Sequence, residues 1–220
     1  MNAGPTVAVH LGLFQRQQRW IGLLGWSFLT LPTVRDHLQA HMWSHMMLQL
    51  PALAICGALM VGAQTSARAH EQSWNAHGMT GLSLCAVVLT LSMVPRVLDM
   101  TVTEPGWNAC KFMGCTLMGV SWRLSWQQAG LTLQGFFLGN ALPMMAVVGY
   151  LYQNTPLRVC NVYGLDDQQR TGFLLNITVV VVAVVWNPLL PAAAVGEASS
   201  GGGGVSHNVA KSTMALFLPT

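Results

Sequence analysis

The stretch that decides the fold runs from residue 37 to residue 67 and reads HLQAHMWSHMMLQLPALAICGALMVGAQTSA, with no Asp, Glu, Lys or Arg. Its apolar part, residues 42–62, has about the 20 residues that an α-helix needs to cross a bilayer. A membrane β-strand would instead show about ten residues of alternating polarity. The stretch therefore predicts a transmembrane α-helix.

The composition of the whole chain supports the same class. Of 220 residues, 52% are hydrophobic and 8% are charged, against about 25% charged in an ordinary soluble domain. The mean hydropathy is +0.46. Ten Lys or Arg and seven Asp or Glu are too few to cover the surface of a soluble fold. The net charge of +3 is too small to indicate a nucleic-acid partner. We expect an integral membrane protein whose partner is membrane lipid.

Five further stretches read as spans when the chain is divided at its charged residues. With the first, the predicted spans cover residues 11–34, 42–62, 78–94, 107–126, 131–151 and 171–195. Lys111 is expected at the level of the lipid headgroups, so that residues 107–126 can cross. The sequence thus predicts an all-α, polytopic bundle of about six spans over residues 1–195. A flexible Gly/Ser-rich tail is predicted over residues 196–220.

An even number of crossings places alternate linkers on the same membrane face. Linkers 33–41, 95–111 and 152–170 then share one face, which carries His37, His41 and His45 and five of the seven carboxylates. Lys and Arg are divided equally between the two faces, so the positive-inside rule does not decide the orientation.

Glycines are expected where two helices approach closely, because they have no side chain. The candidates are Gly57, Gly62, Gly135 and Gly139.

Three histidines, His37, His41 and His45, stand four residues apart at the start of the deciding stretch. On a helix, residues at this spacing share a face, with Cβ atoms about 5–6 Å apart. Two such imidazoles could hold one metal ion. The residues between His41 and His45 lack the glutamate of the HExxH zinc-protease motif. The alternative is a set of interfacial histidines that bond to headgroups, water or each other.

Copper is the metal that the neighbouring sulfur atoms favour, because thioether and thiol ligands select Cu(I). Eight methionines, Met46 among them, are expected in the half of the bundle near the histidines. Methionine is also a common filler of apolar gaps, and this alternative stays open. Asp99 could pair with Arg96 or orient a histidine, and Asp167 stands in a linker expected just before the last helix. The candidate metal ligands are His37, His41, His45, Met46, Asp99 and Asp167.

Several short motifs in this order resemble the CtaG family of cytochrome c oxidase assembly proteins. They are His41-Met-Trp-Ser-His45-Met-Met-Leu with Pro51 and Gly57, Val94-Pro-Arg-Val-Leu-Asp99, Gly119 with Trp122, Tyr150-Leu-Tyr152, and Leu165-Asp-Asp-Gln-Gln169 with Gly172. The resemblance implies a multi-pass protein of the bacterial inner membrane that supports copper delivery to a haem–copper oxidase. It also implies roles for His41, His45, Asp99, Asp167 and Gln168.

Other functions are compatible with the same sequence. A structural subunit of a respiratory or other membrane complex would need no chemistry of its own. A membrane haem protein would need a second axial histidine, and a transporter is weakly indicated because no inverted repeat is visible. No nucleophile motif with a histidine partner appears, so we do not expect an enzyme.

Overall fold

The computed structural model describes residues 5–61 and 73–186, and every regular element in these ranges is helical. The prediction of an all-α fold is confirmed there. The helices are α1 (Pro5–Thr30), α2 (Pro32–Gln39), α3 (Met42–Met60), α4 (Met79–Met93), α5 (Pro95–Thr103), α6 (Pro105–Trp126), α7 (Leu131–Asn154) and α8 (Leu165–Trp186), with a 3₁₀ helix at Ser73–Gly78. The predicted tail, residues 196–220, lies outside the described residues.

Three helices of the described chain, α3, α7 and α8, are long and apolar enough to cross a membrane. The pair α4 and α5, bent by 79°, passes the same test as one broken span. The structure does not confirm six spans, because polar and charged residues leave α1 and α6 outside this group. Only 6% of the apolar window of α7 is buried, so this helix presents an apolar surface outward, as a lipid-facing helix does.

Prolines set the breaks between successive helices. Pro32, Pro95 and Pro105 each stand in the first turn of a helix, where a missing backbone N–H breaks no helical hydrogen bond. Proline also forces the preceding residue out of the helical region, and Val94 accordingly has φ −76° and ψ 119°. Two segments predicted as linkers, 33–41 and 95–111, are therefore mostly helical.

Helix α6 is the central element of the described bundle and packs against α3, α4 and α5. Two glycines bring α3 and α6 into backbone contact. A methyl group on Gly57 would meet the backbone of Thr116, and one on Gly119 would meet the carbonyl group of Ala54. The small-residue contact predicted for Gly57 is thus confirmed, and it includes Gly119 on the facing helix.

The other glycines predicted at helix contacts behave differently. A methyl group added to Gly135 or Gly139 in α7 would meet nothing within 4 Å. Their predicted role in helix packing is wrong, because this face of α7 has no neighbour in the described chain. Gly62 lies outside the described residues.

The chain divides into two compact units. The first, Met1–Asn176, contains α1 to α7 and the first half of α8. The second, Ile177–Thr220, is described over residues 177–186, where it is helical.

Candidate functional site

The three histidines do not lie along one helix face. Helix α2 ends at Gln39, and His41 is extended, with φ −125° and ψ 141°. Helix α3 begins at Met42, so the chain changes direction between His37 and His45. The prediction that the four-residue spacing aligns the imidazoles is wrong, because it assumed an unbroken helix.

A π-helical turn covers His45–Gln49 inside α3. The Leu50 N–H donates to the carbonyl of His45, five residues back, as a π turn requires. Pro51 follows at once and has no N–H for an α-helical bond to Met47. π turns recur at functional sites, and this one contains both His45 and Gln49, whose side chains are fully buried.

His41 pairs with Asp167 at the surface. Its Nδ1 lies 3.2 Å from Oδ2 of Asp167. The His41 side chain is 58% exposed and that of Asp167 22%. Asp167 lies in the first turn of α8, which begins at Leu165 and not after the acidic segment as predicted. Acidic residues are favoured there by the helix dipole.

His45 lies in the bundle interior with both ring nitrogens engaged. Nδ1 is 2.8 Å from the hydroxyl oxygen of Tyr163, which itself donates to the Gln39 carbonyl at 3.1 Å. Nε2 is 3.1 Å from Nζ of Lys111. When Lys111 is an ammonium, which can only donate, Nε2 accepts from it and Nδ1–H donates to Tyr163. In that state the imidazole is neutral and is held in one tautomer.

The sequence analysis missed Lys111 and Tyr163 as members of this site. Lys111 was expected to reach the headgroups, but it is 9% exposed and points inward, where it also donates to Gln49 Oε1 at 3.2 Å. The sequence feature that could have identified Lys111 is its position as a single lysine within an apolar segment, where ionisable residues usually face the bundle interior. Tyr163 stands in the loop of residues 155–164, and nothing in its local sequence indicated a buried hydroxyl.

Asp99 and Gln168 hold that loop in place. The Asp99 carboxylate accepts the N–H groups of Asn161 at 2.8 Å and Val162 at 3.4 Å. Gln168 Oε1 accepts the N–H of Val159 at 2.9 Å. No ion pair between Asp99 and Arg96 and no hydrogen bond from Asp99 to a histidine occurs in the described residues. Both side chains fix the position from which Tyr163 reaches His45.

The electrostatics of the loop favour neutral side chains. Burial raises the pKa of Tyr163 above its usual range, and Cys160 and the carboxylates of Asp99 and Asp167 add to the effect. Burial, with a further contribution from Asp99, raises the pKa of Cys160 to about 12. Tyr163 therefore acts as a hydrogen-bonding hydroxyl and Cys160 as a buried thiol.

The remaining predicted ligands lie apart from the His41–Asp167 pair. Met46 is 3% exposed and packs in an apolar cluster with Met42 and Met93, and His37 is exposed on α2. In residues 5–61 and 73–186, no three His, Cys, Asp or Glu side chains are grouped closely enough to hold a metal ion. Within these residues, His, Cys, Asp and Glu side chains alone therefore do not form a site of three or more ligands.

Comparison with known proteins assigns no family. No family model matches the chain, and no solved structure matches it. The chain is 30% identical over 86 residues to tyrocidine synthase 3 of Brevibacillus parabrevis, a match that covers 39% of the chain and 1% of that protein. The chain thus spans about one hundredth of the curated relative it matches. The resemblance to the CtaG family stays a prediction.

Proposed function

We propose that the protein is a multi-pass protein of the bacterial inner membrane, with about six spans, that handles copper during maturation of a haem–copper cytochrome c oxidase. The observation that carries the proposal is the pair His41 and Asp167. These residues are 126 positions apart and come within 3.2 Å at one rim of the bundle.

The geometry of the pair suits a histidine that binds metal. A carboxylate on one ring nitrogen fixes the ring and makes the other nitrogen a better ligand. Asp167 engages Nδ1 of His41, and more than half of the His41 side chain stays exposed. An open site with few protein ligands suits transfer, because the copper donor or the oxidase subunit supplies the other ligands.

Competition for Cu(I) with a chromophoric chelator, on the full chain in mild detergent, tests the proposal. Asp167→Asn should weaken binding by about 10–100-fold, the usual effect of losing a residue that orients a metal-binding histidine. His41→Ala should weaken it at least as much. The matched control is His37→Ala, which removes another exposed histidine and should leave binding unchanged.

Equal Cu(I) affinity in all four proteins would refute copper handling at this pair. Misfolding is a small risk, because an exposed ion pair contributes at most about 1 kcal/mol to stability. The elution profile in detergent checks this for each variant.

A structural subunit of a membrane complex is the second candidate, and the environment of His45 favours it. Both ring nitrogens are hydrogen-bonded inside the bundle, so this fully buried histidine is occupied in packing contacts. Copurification with other subunits at fixed stoichiometry, without copper in any preparation, would support this candidate over copper handling.

A further inference from the structure

A small cavity lies between α3, α4, α5 and α6, with a volume of about 120 Å³. Its lining is mostly apolar, and it includes Leu50, Val88, Leu91, Val97, Leu98 and Trp107. Lys111 is the single charged side chain among the described residues that line it. Leu91 and Trp107 are 51% and 43% exposed, so the cavity opens on the apolar outer surface of the bundle.

Lys111 has no carboxylate partner in the described residues. Its ammonium donates to two neutral acceptors, His45 Nε2 and Gln49 Oε1, and lies 5.1 Å from the centre of the Phe112 ring. Arg35 is near enough to add positive charge. Since an ammonium has three N–H groups and a buried charge needs an opposite one, this environment is complementary to an anion.

Gln49, whose side chain accepts from Lys111, carries an unpaired donor of its own. Its side chain is fully buried, yet its Nε2 has no hydrogen-bond partner in the described residues. A buried donor without a partner costs about 1–3 kcal/mol. Gln49 does not line the cavity, so this donor belongs to the surroundings of the ammonium and not to the proposed binding space.

We propose that the cavity binds a fatty acid, with the carboxylate at Lys111 and the acyl chain directed outward between Leu91 and Trp107. At about 30 Å³ per water-sized group, 120 Å³ holds the carboxylate and the first few methylenes. That space suits a slim carboxylate and not a glycerophosphate headgroup. The hydroxyl groups of Ser92 and Thr101 donate to helix carbonyls, which leaves the lysine to select the anion. The site is independent of copper handling.

Native mass spectrometry of the full chain in a non-ionic detergent, with decanoate as the probe, tests the proposal. Decanoate should bind at least about 30-fold more tightly than methyl decanoate, since losing one partner of a buried charge pair has at least that effect. Lys111→Gln should abolish this preference, and Arg158→Gln, which removes an interfacial cation elsewhere, should retain it.

A second variant tests the cavity without touching the charge. A methyl group at Gly114 would meet only Val88, at 3.8 Å, so larger side chains enter the cavity without meeting backbone. Gly114→Leu should therefore block decanoate, and Gly106→Leu, at an open position on the same helix, should not. Equal binding of acid and ester to the wild-type chain would overturn the proposal, as would stronger competition from phosphatidylglycerol than from decanoate.

Discussion

The contact between α3 and α6 gives the sharpest stability prediction, the substitution Gly119→Ala. The added methyl group would lie 2.7 Å from the carbonyl carbon and 3.0 Å from Cα of Ala54, and nearer still to its carbonyl oxygen. These are backbone atoms, which cannot turn aside as a side chain does. The two helices must separate, and the neighbouring contact of Gly57 with Thr116 opens with them.

Two opposing effects determine the size of the change. Overpacking costs about 1–3 kcal/mol, and a contact with backbone belongs at the upper end of this range. Alanine gains about 1 kcal/mol over glycine in helix propensity. We therefore expect Gly119→Ala to lower the free energy of unfolding by about 2 kcal/mol. The matched control Gly139→Ala meets nothing within 4 Å and should raise it by up to about 1 kcal/mol.

Equilibrium unfolding of the detergent-solubilised chain by increasing SDS measures both variants under the same conditions. The decisive result is that the free energy of unfolding falls for Gly119→Ala and rises for Gly139→Ala. If helix glycines in general did not tolerate a side chain, both variants would be less stable than the wild type. The packing argument fails if Gly119→Ala is as stable as the wild type, or if Gly139→Ala loses as much as Gly119→Ala.

Three further predictions follow from the site. Tyr163→Phe should lower the free energy of unfolding by about 1–3 kcal/mol, because it removes the hydroxyl that pairs with His45 and the Gln39 carbonyl. A loss below about 0.5 kcal/mol would argue against this hydrogen-bond network. A double-mutant cycle of His41→Ala and Asp167→Ala should give a coupling of at most about 1 kcal/mol, since the pair is exposed; a larger value would mean a buried pair. At pH 8, maleimide should modify the exposed Cys110 well before the buried Cys160, because burial raises the pKa of Cys160 to about 12 and keeps its thiol protonated. Equal rates would contradict the burial of Cys160.

Hydrophobic patterning was enough to predict the long helices. The spans expected at 107–126 and 131–151 correspond to α6 and α7, with ends within three residues. The pattern misplaced the start of α8, because Asp166 and Asp167 were assigned to a linker. The same acids are compatible with a cap before the helix or with its first turn, and the structure has them in the first turn.

Sequence patterns were a weaker guide to the site, for reasons that lie in the local backbone. The helical break before His41 and the π turn at His45 separate two histidines that regular spacing would align. The partners of His45, Tyr163 and Lys111, are 118 and 66 residues away. Contacts at such separations depend on how the helices pack, and no local pattern encodes them.

The loop of residues 155–164 links the surroundings of the exposed His41 to those of the buried His45. Asp99 holds its backbone from α5, and Gln168 holds it from the first turns of α8, next to Asp167. The loop in turn positions Tyr163 against His45. The carboxylate that orients the exposed His41 and the amide that supports the buried His45 therefore stand on adjacent residues of one helix turn. A movement of the start of α8 would therefore disturb the contacts of both histidines.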